Sequence, residues 1–222
     1  MRIAGLFALL AAPACAQEFV FTHDRLSDEA FYRAVACAAP PGGECRKPFL
    51  RWPAAKRTRL TVGIVGTADG AGAEKRALFE AGLVAAIAEI NSLDADLRLV
   101  RRADGPADIE IHLVNTTPGE VMRGTGVPDL DGAMLPLARV ALRARDGVIG
   151  EAVIAVSLSA RRREIASILL EEIAQSLGLM TDIAGPAYRR SIFSEDGNAV
   201  TRLEGQDAMA LRRHYADDDG ES

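Results

Sequence analysis

The segment from Ser159 to Gly178 constrains the fold more than any other. Ser159 is an N-cap candidate, and Gly178 is the residue type that ends a helix in the left-handed region, so the pattern predicts a helix over 159–177. At about 100° per residue, Ile165, Ile168, Leu169 and Ile173 share one apolar stripe. Glu172 falls inside that stripe, while Glu171 and Gln175, four apart, sit together on its flank. Burying a carboxylate among apolar side chains is costly unless it is partnered or faces a cleft. The stripe therefore demands either a partner for Glu172 or an opening beside it, which makes 171–182 the candidate functional segment. A solvated Glu-Glu pair on a helix surface is the plainer alternative.

The rest of the chain supplies a sheet for this helix to pack on. Leu60, Val62 and Ile64 alternate as in a strand. Phe79, Leu83, Ile87 and Ile90 line one face of a helix predicted from Ala73 to Ser92. Strands are expected at Leu97–Val100 and Ile109–Val114, then an irregular Gly- and Pro-rich stretch over 116–136. Val140–Ala144 and Val148–Val156 flank Asp146-Gly147, a hairpin signal. Residues 183–200 read as loop. A last helix runs over 204–215, with Asp207 in its first turn, where the macrodipole favours it. Ser27 caps a short helix through Ala36. This order predicts an α+β domain, one mixed sheet packed by helices.

The opening MRIAGLFALLAAPACAQ has a cation at Arg2, an apolar run and small residues before Gln17, the pattern of a signal peptide over 1–16. Alternatively, Ala12-Pro13-Ala14-Cys15 is a lipobox without its usual leucine, with Cys15 as the lipidated residue. A buried first helix is a third possibility. No later stretch is apolar and long enough to span a bilayer. The expected location is the periplasm or the exterior, with an inner- or outer-membrane lipid anchor as the variant. Residues 17–55 then form an N-terminal lead-in, 56–216 the main domain and 217–222 an acidic tail. Cys37 and Cys45 enclose the turn-forming AAPPGGE and are expected to form a disulfide in an oxidising compartment. Removing residues 1–16 takes away one cation and no acid, so the net charge moves from −5 to −6. That balance argues against a nucleic-acid partner.

Glu171 to Phe193 carry two resemblances. The first is to the zinc peptidases called metzincins, with H-E-x-x-H-x-x-G-x-x-H and a following Met-turn. Glu171 stands at the first histidine position, Glu172 at the glutamate, Gln175 at the second histidine, Gly178 at the glycine and Thr181 at the third histidine. Ser191-Ile192-Phe193 resembles the Met-turn, with Phe for Met, and 201–215 resembles the last helix of such domains. The second resemblance is to a family of uncharacterised secreted proteobacterial proteins and predicted lipoproteins, classed only as a domain of unknown function. Its hallmark is Glu-Glu-x-x-Gln-x-Leu-Gly-Leu-x-Asn-Asp followed by Ser-Ile-Phe. The chain matches it through Glu171, Glu172, Gln175, Leu177, Gly178, Leu179, Asp182 and Ser191–Phe193, and departs at Thr181.

These resemblances imply a zincin-like single domain that keeps the glutamate and glycine and has lost the histidine ligands. Gln175 is a neutral amide and a poor zinc ligand, and Thr181 is poorer. An oxygen-only set of Glu171, Gln175 and Asp182 would suit a hard cation such as calcium. His23, His112 and His214 are scattered and read as surface or hydrogen-bonded histidines. No cofactor is therefore expected. The leading expectation is a non-catalytic pseudo-peptidase domain that binds a peptide or envelope protein between the sheet edge and the motif helix. Glu171, Glu172, Gln175, Gly178, Asp182 and Ser191 would form that site. The alternative is a metal-dependent hydrolase with atypical ligands and Glu172 as general base, and a third reading is a structural envelope protein.

Overall fold

The computed structural model describes residues 19–197 and 199–216. The expected signal peptide with Cys15, the start of the lead-in and the acidic tail from 217 lie outside the described residues. The elements in order are β1 (Phe19–Phe21), α1 (Asp28–Cys37), α2 (Ala54–Arg57), β2 (Leu60–Thr67), α3 (Ala73–Asn91), β3 (Leu99–Arg101), β4 (Ile109–Val114), β5 (Ala138–Arg145), β6 (Val148–Ser157), α4 (Ile165–Ser176), β7 (Asp182–Ala184) and α5 (Gly205–His214). A short 3-10 turn, Pro186–Tyr188, separates the last two.

The main sheet is mixed, with strand order β3-β2-β4-β6-β5. Its first four strands are parallel, and β5 runs antiparallel to β6 along one edge. The β2–α3–β3 unit is the crossover that parallel pairing requires. The chain returns from β3 to β4 across the face of β2. At Gly63 any Cβ would meet the Arg102 carbonyl at 2.7 Å, so the bare backbone is what lets the strands cross. The Asp146-Gly147 hairpin forms as expected between β5 and β6, with both residues at positive φ.

Alternation sets the two faces of the sheet. Ile109, Ile111 and Leu113 join Phe79 and Leu83 of α3 and Leu169 and Ile173 of α4 in one core. Gly82 lets α3 approach α4 closely, because a Cβ there would meet Leu169 at 2.9 Å. On the opposite face, Val153 and Ala155 bury a smaller cluster with Met122, Leu130 and Leu135 from the 116–136 stretch. That stretch is irregular, as its composition indicates, yet it is anchored by its own apolar residues.

Three expectations are corrected. The motif helix begins at Ile165 rather than at Ser159. The Ser157 hydroxyl accepts from the Ser159 amide at 3.2 Å, and Glu164 closes a turn by accepting from the Arg161 amide at 3.0 Å. These local side-chain bonds compete with helix, as Ser and Glu near helix starts often do. The segment after Met180 is not all loop, since β7 pairs in parallel with β1. Finally, the lead-in is part of the core: Phe31 and Trp52 are fully buried, and α1 packs on α5. Ser27 caps α1 through the Ala30 amide, and the Cys37–Cys45 disulfide closes the loop directly after it.

Candidate functional site

Helix α4 leaves β6 and runs beneath the sheet to its β5 edge, so its polar flank faces an edge strand. Between them lies a narrow cleft lined by Ala138, Arg139 and Val140 of β5, by Glu171, Glu172 and Gln175 of α4, and by Met180 and Asp182. The structure thus brings together four of the six expected site residues.

Glu172, Gln175 and Asp182 are each only 8% exposed. Gln175 donates from Nε2 to Asp182 Oδ1 at 2.8 Å, which ties α4 to the segment beyond it. Asp182 also shares a carboxyl hydrogen bond with Glu195. Burial, and then the Glu195 charge, push the Asp182 carboxyl up to about 7, against the pull of the Gln175 bond and Lys47. Glu172 is held well above the usual carboxylate range by burial first, then by the charges of Glu171 and Asp182, with Arg139 pulling the other way. Glu172 Oε2 is buried with no hydrogen-bond partner among the described residues.

Gly178 stands outside the cleft, at the end of α4. Its φ of 105° is open to glycine, and a Cβ would lie 1.9 Å from the Leu50 carbonyl and 2.7 Å from His214 Nε2. The last carbonyls of α4 are capped by distant side chains. Trp52 Nε1 donates to the Ser176 carbonyl at 3.0 Å, and Tyr215 Oη donates to the Leu177 carbonyl at 2.7 Å. His214 Nε2 donates to the Leu50 carbonyl at 2.8 Å, leaving Nδ1 to accept from Tyr32 Oη at 3.2 Å. Burial pushes this imidazole down to about 4, so it stays neutral.

Ser191 is likewise not in the cleft. Its hydroxyl donates to Asp207 Oδ1 at 2.6 Å, and the Ile192 amide donates to Asp207 Oδ2 at 2.8 Å. Asp207 is therefore a clamp between the 191–193 turn and α5, beyond the macrodipole role its position suggests, and burial raises it to about 6. Arg139, Met180 and Glu195 are cleft or partner residues that the sequence pattern did not single out.

The donor set does not fit a zinc-type centre. No group of three His, Cys, Asp or Glu side chains is placed to hold a metal ion among the described residues. The Gln175 amide points its donor at Asp182, and that carboxylate is already engaged. His112 lies on the far side of β4 near Glu110, and His23 packs against Phe21. A larger crevice of about 570 Å³ opens at the carboxyl ends of β2 and β4. Its Asn115 and Thr125 side chains are bonded within the surrounding loops, to Asp69, Val127 and Asp131. The smaller cleft holds the orphaned carboxylate and is the better candidate.

A family model described as "Protein of unknown function (DUF2927)" matches residues 29–218. The chain belongs to the DUF2927 family. No curated protein matches it. The DUF2927 match starts one residue into α1, so the rest of that helix, the disulfide loop, the cleft and the Asp207 clamp lie inside the family's domain. Among the described residues no helix of this DUF2927 protein is long and apolar enough to cross a membrane.

Proposed function

We propose that this DUF2927 protein is an exported, zincin-like, non-catalytic domain that binds an extended peptide or protein segment by strand addition. The observation that carries the reading is the position of the cleft: β5 ends the sheet order, and the helix bearing Glu171, Glu172 and Gln175 lies directly beside that edge. An edge strand offers unpaired backbone donors and acceptors, which an incoming strand satisfies while side-chain pockets supply selectivity. The disulfide and the predicted signal sequence support an oxidising, extracytoplasmic setting.

The test is selection of binders from an unbiased peptide library, followed by amide hydrogen exchange of the complex. Bound peptides are expected to slow exchange along 138–142. Peptides that bind without protecting this edge overturn the strand-addition reading. Peptide cleavage that needs added metal and is lost in Glu172→Gln overturns the non-catalytic one.

A further inference from the structure

Between the β5 edge and α4 lies a cavity of about 40 Å³ with a specific chemical asymmetry. Its floor carries the Glu172 carboxyl, one oxygen of which has no partner among the described residues. Its walls include Ala138, Val140 and Met180, which are apolar. The charged groups around it are Glu171 and Glu172 from α4, Asp182 from β7 and Glu195 from the following turn, set against Arg139 from β5 and Lys47 from the segment after the disulfide. Carboxylates outnumber cations there. A cavity of this size holds one small polar group, since a water needs only about 10–15 Å³ on this measure. A buried acceptor of this kind is costly unless a donor reaches it.

We propose that the cavity is the seat of a primary ammonium group, presented by a lysine side chain of the bound peptide. The inference rests on the strand-addition reading of the same cleft and names its selectivity. A lysine suits the asymmetry because its methylene stem lies on apolar walls while its compact head makes three donations at the tip. The broader, planar guanidinium of arginine needs a wider mouth. An ammonium beside Glu172 favours the carboxylate form, so a proton leaves Glu172 for solvent as the amine seats, and the amine keeps its own. Asp182, whose carboxyl is also raised, lies on the same cavity.

Two probes isolate the amine from the peptide: Nα-acetyl-lysine N-methylamide and its norleucine counterpart, titrated into the folded chain. The readouts are the carbon-13 shift of the Glu172 carboxyl and the dependence of binding heat on buffer ionisation. The lysine probe is expected to move the Glu172 resonance and release a proton. The norleucine probe should bind at least about tenfold more weakly, as loss of a charge-assisted bond implies. Glu172→Gln should erase the difference, and Glu171→Gln, which leaves the buried acid in place, should only reduce it. Equal binding of the two probes, or a lysine preference that survives Glu172→Gln, overturns the inference. Peptides that protect β5 without distinguishing lysine from norleucine overturn it and leave strand addition standing. Loss of β5 protection with every peptide overturns strand addition itself.

Discussion

The C-terminal end of α4 and its cleft-facing side treat buried polar groups in opposite ways. At the end, the Ser176 and Leu177 carbonyls receive donors from Trp52 and Tyr215, and His214 uses both ring nitrogens. On the cleft side, one turn earlier, Glu172 Oε2 has no partner among the described residues. Burial is similar in the two regions, so burial does not explain the difference. The fold brings side chains from α1, α5 and the segment before β2 to close one end of this helix. An open acceptor on the same helix therefore marks a place where the fold leaves room. Native interiors satisfy nearly all such groups, and exceptions cluster where something binds or reacts.

The comparison breaks most visibly at Gly178. Gly178→Ala places a methyl against the Leu50 carbonyl and holds alanine at a φ of 105°. Strain and overpacking together are expected to lower stability by at least about 3 kcal/mol, read from the urea midpoint. A loss below about 1 kcal/mol would show that the Leu50 segment yields easily and that the closed end is not closed.

A smaller effect is expected from Tyr215→Phe. The phenol donates to the Leu177 carbonyl and accepts from the Trp52 amide, so its removal orphans one buried acceptor and one buried donor. The expected loss is about 1–3 kcal/mol with the cleft unchanged, so peptide binding at β5 should persist. If this variant abolishes binding at full occupancy of the folded state, the two regions are coupled and the contrast between them fails.

Much of the frame is legible in the residues. The alternation in β2 and β4, the Asp-Gly hairpin and the apolar face of α3 follow from local periodicity, which is a near-neighbour property. The disulfide follows from a short, turn-rich interval between two cysteines. The start of α4 is not legible, because Ser159 and Glu164 bond locally in a turn that looks like a cap. Strands β1 and β7 are too short to show a period, and they pair across most of the chain. The same long reach hides the site's partners. Gln175 and Glu172 stand out on the helix wheel, yet nothing near them in sequence announces Arg139 or the Trp52–Tyr215 closure. The apolar stripe does show that Glu172 needs a partner or an opening. Which of the two it has depends on tertiary contacts.

The smallest effect, and the most discriminating, belongs to Glu172→Gln. Its folded acidity constant is raised above the ordinary value, so its contribution to stability is complete at low pH and is lost as pH rises through the folded value. Asp182 behaves the same way, its share falling as pH rises from the ordinary value of about 3.9 and spent above its folded value of about 7. His214 runs oppositely: its value is lowered to about 4, so its stabilising share is complete above its ordinary value of about 6.5 and fades as acid is added. Above about pH 7 the histidine is silent and the Asp182 share is spent, so a further fall in wild-type stability with rising pH is expected from Glu172. Glu172→Gln replaces a neutral acid with a neutral amide of the same shape. At the lower of two pH values above about 7 it should change stability little, and at the higher it should have lost less stability than wild type. Unfolding midpoints at the two pH values decide it. A variant equally destabilised at both would mean that Glu172 has a structural partner and that the cleft side of α4 is as closed as its end.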